Sequence, residues 1–215
     1  MFFAVISAFA LNSWSENRND KISEEKILKE IKNGIELDLN DFNSNIKGNK
    51  LSLRANDYFK DLVSGKMVKQ DSAKIFYITL FRDYVPIINR SGYESLKASG
   101  MKTVTNDSLR LQIISLYDYY YSIIDLLEFH SDEMKSYPNY FKPINSLLNP
   151  YMNFDKDNNF LNFNTPIKIS EIQKKEILSY LWKIDYNREY KLKRYQLIID
   201  AMEKVKTNIQ KELSD

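Results

Sequence analysis

From Leu28 to Ile46 the apolar residues fall at Leu28, Ile31, Ile35, Leu39, Phe42 and Ile46, in steps of three and four. That spacing holds them on one stripe of an α-helix. Glu24, Glu25, Lys29, Glu30, Lys32, Glu36 and Asp41 occupy the opposite face, and the stripe persists through Leu53, Tyr58 and Leu62. A helix is expected from Ser15 to Ser64-Gly65-Lys66, where Gly65 suits a left-handed cap. Gly34 and Gly48 weaken it locally. Only five Gly and five Pro occur among 215 residues, and so few breakers favour long helices over many short strands.

The same reading gives further helices. One starts after Asp71 or Ser72, buries Ala73, Phe76, Leu80, Tyr84 and Ile87, and is distorted or ended by Pro86. A short one covers residues 92–100. Another opens at Asn106 or Asp107, with a stripe of Leu109, Ile113, Leu116, Tyr120, Ile124, Leu127 and Met134, and stops at Pro138. Residues 138–169 hold four prolines and many asparagines and read as an irregular excursion, packed or mobile. Ser170-Glu171 opens a last long helix with a stripe of Leu178, Leu181, Ile184, Leu192, Tyr195, Ile199, Met202, Ile209 and Leu213. The expected fold is all-α: one elongated helical bundle over 15–215, its long first and last helices side by side as a coiled-coil-like stalk with shorter middle helices.

The 31 basic and 29 acidic residues leave a net charge of +2, which gives no polyanion-binding signal. There is no Cys and one His, so disulfides, thiolate sites and any site needing two histidines are excluded. No Gly-rich phosphate loop, nucleophile elbow or zinc-protease helix motif is present. No enzyme activity and no cofactor are expected.

Residues 1–11 form an apolar run broken only by Ser7, about half of the roughly 20 residues that a spanning helix needs. Three readings fit: the C-terminal part of a membrane-spanning helix (residues 1–14), a signal remnant, or a helix end buried in a bundle. Ala8-Phe9-Ala10 has the shape of a cleavage site but follows no basic residue. Trp14 sits at the boundary between apolar run and charge, the place of an interfacial anchor.

Two stretches carry a resemblance. The first is ALNSWSENR, leading into EEKILKEIKNGIELDLNDF; the second is YESLKASG, then NDSLRLQIISLYDYYY. The chain resembles an uncharacterised bacterial domain-of-unknown-function family of single-pass inner-membrane proteins, from its start to about residue 130. The matching positions are Asn12, Trp14 and Glu16, then Tyr93, Leu96, Lys97 and Gly100, then Leu109, Arg110, Tyr119 and Tyr120. Members carry a basic segment and half a spanning helix ahead of this point, which this sequence does not show. The resemblance implies membrane association through the N-terminus and a helical domain on the periplasmic side. Arg18 and Lys21, counted by the positive-inside rule, favour the cytoplasmic face instead.

Asp155-Lys156-Asp157-Asn158-Asn159 has the opening of a calcium loop, but Phe160 and Pro166 stand where Gly and Glu belong, so a polar turn is expected. His130 lies beside Glu128, Asp132 and Glu133, carboxylates that suit a solvated helix, and three residues after Leu127 it reads as partly buried or interfacial rather than as a metal ligand. The cluster Tyr117, Tyr119, Tyr120 and Tyr121 reads first as core packing, with Tyr120 on the stripe and Tyr119 facing elsewhere; Tyr117, Tyr121 and His130 are the candidate ligand or partner surface. On the last helix Lys and Arg alternate with Tyr180, Trp182, Tyr186 and Tyr190, interrupted by acidic residues, so nucleic-acid binding is not expected. Asp185 and Arg188 fall in the gap of the stripe between Ile184 and Leu192, the position of a buried pair setting helix register. The function expected is a membrane-tethered, non-enzymatic domain for protein–protein interaction, scaffolding or self-association. A small-ligand sensor domain is the alternative, and a soluble nucleic-acid-binding bundle the third reading.

Overall fold

A computed structural model describes the backbone of residues 2–214, with the side chains of residue 12 and of 14–214. The chain is 79% helical, with a single two-stranded sheet among the described residues, an all-α bundle. The elements are α1 (Phe2–Val63), α2 (Ala73–Phe81), α3 (Ser91–Ser99), α4 (Asp107–Ser115), α5 (Tyr121–Asp125), α6 (Lys142–Leu148), β1 (Met152–Phe154), β2 (Phe160–Phe163) and α7 (Glu171–Glu212). Two compact units divide it: residues 1–41, 87–122 and 197–215 form the first, 42–86 and 123–196 the second.

Helix ends follow local chemistry. Lys66 N–H reaches Asp61 O and Gly65 N–H reaches Leu62 O, with Gly65 at φ +77°. This is the paired 6→1 and 5→2 closure of a left-handed C-cap. Asn106 caps α4 by accepting Leu109 N–H at 3.1 Å. Ser170 and Gln173 bond each other's backbone amides at the start of α7, a reciprocal capping box.

In the first unit Leu28, Ile31 and Ile35 of α1 are buried with Tyr93, Leu96, Leu109, Ile113 and Leu116, and with Ile198, Met202, Val205 and Ile209 of α7. Each such aliphatic side chain contributes about 1.5–3 kcal/mol by leaving water. A Cβ on Gly92 would lie 2.6 Å from Ile31 N, so α3 approaches the backbone of α1 as only glycine permits.

The helix after Asn106 does not run to Pro138. Leu116–Tyr120 and Leu126–His130 are π-turns, with Tyr121 N–H bonded to Leu116 O, and the run ends at His130. The wider turn advances the inward face by one residue. Tyr117 and Tyr121 are therefore buried, whereas Tyr120, expected on the stripe, is only half-buried.

In the second unit α1 and α7 run antiparallel. Phe42 meets Tyr195, Asn49 meets Arg188 and Asn56 meets Leu181, so one number rises as the other falls. Helix α2 stops at Phe81, five residues before Pro86. Continued, it would leave Arg82 O without a donor, since proline has no N–H. That carbonyl accepts Arg188 Nη2 at 2.6 Å instead. Beyond the helix, Tyr84 is half-buried and Ile87 is 76% exposed, against the expectation that both are core.

Residues 138–169 are structured rather than irregular. They hold α6 and a hairpin pairing Met152 with Phe163 and Asn153 with Asn162. Tyr140, Ile144, Leu148, Phe163 and Ile167 join the core of the unit.

Candidate functional site

Each residue singled out by the sequence has a place. Trp14 is exposed, with the Arg18 guanidinium 5.6 Å from its ring centre. The remaining expectations for residues 1–14 concern side chains that, apart from Asn12 and Trp14, lie outside the described residues. No helix among the described residues is long and apolar enough to cross a membrane. His130 is exposed at the end of its π-turn in the second unit, while Tyr117 and Tyr121 are core residues of the first. Two of the three candidate surface residues are thus packed away from solvent.

The two tyrosines belong to a stack. The rings of Tyr93 and Tyr117 lie 4.4 Å apart and nearly parallel, and Tyr121 meets Tyr117 edge-on. Tyr121 OH donates to Asp38 Oδ2 at 2.6 Å, and Asn89 N–H donates to Asp38 Oδ1 at 2.8 Å. Asp38 is buried, and burial raises its carboxyl to about 6, against the two hydrogen bonds, which favour the anion. Burial likewise pushes the Tyr117 and Tyr121 hydroxyls up, and the Asp38 charge adds to it.

In the second unit Asp185 and Arg188 do not pair with each other. Asp185 bonds Lys60, and Arg188 turns inward, 1% exposed. Its Nη1 donates to Asn49 Oδ1 at 3.0 Å, and its Nη2 donates to Arg82 O and to Ser136 Oγ at 3.0 Å, with Asp83 at 3.5 Å. Burial lowers the guanidinium's pKa, while Asp83 and Glu128 hold it up. One turn on, Lys191 donates to Glu128 Oε2 at 2.7 Å, with both side chains 1% exposed. Tyr195 OH has two acceptors and one proton: Glu128 Oε1 at 2.5 Å and Tyr84 O at 3.0 Å. The carboxylate is the stronger acceptor. The Tyr84 ring lies on Gly48, where a Cβ would sit 2.2 Å from it, with the guanidinium groups of Arg82 and Arg188 at 6.0 and 5.9 Å from its centre.

The sequence signal for this cluster was positional. Glu128 lies four residues after Ile124, and Lys191 lies three after Arg188 and four before Tyr195. All are stripe positions that an apolar search skips. The charged ends of Glu128, Arg188 and Lys191 are buried and bond within the cluster, except Arg188 Nε, which has no partner.

The Asp155 carboxylate closes the hairpin turn by accepting Asp157 N–H at 2.9 Å and Asn159 N–H at 2.8 Å, and the Asn159 amide holds it below its usual range. No group of metal-ligating side chains occurs among the described residues.

An open groove of about 350 Å³ lies beside α2 in the second unit, lined by Tyr77, Ile78, Phe81, Arg82, Tyr137 and Phe141. Tyr137 stacks on Phe141 at 4.7 Å, and the rings continue through Tyr77 and Phe160 to Phe154. Ile75, Ile78, Tyr137 and Phe154 are each at least half exposed along this ridge. On the outer face of α7, Trp182 stacks with Tyr186, and Lys183 sits over that ring while bonded to Glu133.

No protein-family model, no curated protein and no solved structure matches this chain.

Proposed function

We propose that the chain is a membrane-tethered, non-enzymatic helical domain that binds a protein partner through the aromatic groove of its second unit. The carrying observation is the contiguous ridge of exposed aromatic and aliphatic side chains around Tyr77, Ile78 and Tyr137. Exposed apolar patches of this kind mark interaction sites, and Tyr, Phe and Arg are the residues enriched at interface centres. The titratable groups of the second unit's core, by contrast, are engaged in holding its helices together. The tether rests on the sequence of residues 1–14 and on the resemblance, which also supplies the periplasmic side.

A photoreactive phenylalanine analogue placed at Ile78 tests the groove in cells, with Leu37, exposed on α1, as the control position. A discrete cross-linked adduct from position 78 and none from 37 is expected, whether the partner is another protein or a second copy. Equal yields from both positions would refute the groove as the binding surface. Intact mass of the native protein in separated membrane and soluble fractions tests the tether. A 25.5 kDa species in the soluble fraction alone would remove it.

A further inference from the structure

The groove has a charge character that its apolar walls do not reveal. Arg82 forms part of its lining, exposed, its guanidinium 6.0 Å from the Tyr84 ring centre. Lys142, the residue after Phe141, is exposed as well. Neither makes an ion pair among the described residues. The acid adjacent to Arg82 is turned inward: Asp83 Oδ1 accepts Ser136 N–H at 3.2 Å and faces Arg188 at 3.5 Å. Asp132, before the Tyr137 turn, is bonded to Lys135 at 2.6 Å. Arg82, in the lining, is thus uncompensated, with Lys142 next in the chain to the lining residue Phe141, while Asp83 and Asp132 are already engaged.

Arg82 is also held in place. Its carbonyl is fixed by the buried Arg188 at 2.6 Å, and a cation–π contact with Tyr84, 6.0 Å to the ring centre, restrains its guanidinium. A guanidinium restrained before binding loses less entropy when it meets a carboxylate. The cavity of about 350 Å³ is at the small end of ligand sites, roughly 300–1,000 Å³. It holds one or two apolar side chains, with the rest of an occupant lying along the exposed ridge of Ile75 and Ile78.

Resting on the groove reading above, we infer that the occupant is a segment of a partner protein with an apolar or aromatic side chain for the cavity and an Asp or Glu beside it for Arg82 and Lys142. The charge selects the partner, because a basic counterpart would meet the unpaired Arg82 in the lining, with Lys142 flanking Phe141.

The test uses the full chain with labelled isoleucine methyl groups, titrated with two short peptides, acetyl-Glu-Leu-Leu-Phe-amide and acetyl-Lys-Leu-Leu-Phe-amide. Expected are saturable shifts of the Ile78 and Ile75 methyl signals, with at least fivefold tighter binding of the Glu peptide. The Arg82→Ala/Lys142→Ala variant, altered only at exposed positions, is expected to lose that preference while still binding. Equal affinity for both peptides at Ile78 would overturn the acidic selection and leave the groove standing as a docking surface. No shift of Ile78 with either peptide would overturn the groove itself, and this inference with it. A preference that survives in the double variant would remove Arg82 and Lys142 as its cause.

Discussion

Replacing Glu128 with Gln isolates one charge in the core of the second unit. In the wild type Glu128 Oε2 accepts Lys191 Nζ at 2.7 Å, and each side chain of the pair is 1% exposed. Gln has nearly the same shape and can still accept from Lys191. Tyr195 loses little, because its hydroxyl has a second acceptor, Tyr84 O, at 3.0 Å. What changes is that the Lys191 ammonium sits in the interior with no counter-ion. Breaking a buried ion pair from one side costs about 3–5 kcal/mol, a large share of a typical total of about 5–15 kcal/mol. Urea denaturation followed by circular dichroism reads this directly. With a slope of about 1–3 kcal/mol per molar, the midpoint should fall by at least ~1 M. The double variant Glu128→Gln/Lys191→Met removes both charges and keeps the aliphatic stem, and should recover most of the loss. A single variant within about 1 kcal/mol of wild type would refute the claim that the pair is electrostatically isolated. A double variant as unstable as the single one would show that packing, not charge, is responsible.

Asp38 predicts a pH dependence of known sign. Its folded-state value is raised from 3.8 to about 6, so its contribution is fully present below about pH 4 and is lost as the pH rises through about 6. Removing the charge by Asp38→Asn should therefore stabilise the chain by about 2–3 kcal/mol at pH 7.5, with no advantage at pH 4; a pH-independent difference would show that the Tyr121 and Asn89 hydrogen bonds and the Arg90 charge already offset burial and the like charge of Asp41. Gly92→Ala puts a methyl group against the Ile31 backbone and should cost about 1–3 kcal/mol, and a neutral result by thermal denaturation would mean that α3 moves freely off α1. Calcium at millimolar concentration should leave the Tm of the wild type unchanged, since the Asp155 carboxylate is engaged with the turn amides; a rise in Tm that is lost in Asp155→Ala would reinstate a cation site.

Most of the helix pattern was legible because long amphipathic helices announce themselves by period. The core's exact membership was not. On α7 the buried positions Ile177, Leu181, Ile184, Arg188, Lys191, Tyr195, Ile198, Met202, Val205 and Ile209 alternate in steps of four and three, with Asn187 buried beside them. On α1, Leu28, Ile31, Ile35, Asp38 and Phe42 follow the same rule, as do Asn49, Ser52, Asn56, Phe59 and Val63. An apolar search steps over Asp38, Asn49, Ser52, Asn56, Arg188 and Lys191, and drifts to Ile46 and Leu192, which are only half-buried. The π-turns were illegible for a different reason: the extra residue in a turn is a backbone event, with no residue type that marks it. The groove was illegible because it joins α2 to residues 137–141, elements far apart in sequence, one of them read as irregular.

The polar members of the two stripes match, and that match bears on register. A stripe repeating every seven residues lets antiparallel helices slide by one repeat with little loss of apolar contact. Arg188 opposes that slip. In its present register it faces Asn49 Oδ1, whereas a shift by one repeat along α1 sets it against Phe42 or Asn56. The Phe42 alternative offers no acceptor, and the Asn56 alternative separates Lys191 from the position it now holds. The expected signature of Arg188→Met is therefore not lost stability. Burying the guanidinium carries a desolvation cost, and its Nε has no partner, so a methionine there should be neutral or stabilising. The expected loss is uniqueness. With no native cysteine, spin labels at Asp57 and Ser179, both exposed, report the α1–α7 register in the second unit as a distance distribution. One narrow peak in the wild type should become two in Arg188→Met, the second from chains whose helices have slid by about 10 Å along the axis, one heptad at 1.5 Å per residue. A single unchanged peak, at undiminished stability, would remove Arg188 as the residue that sets the register.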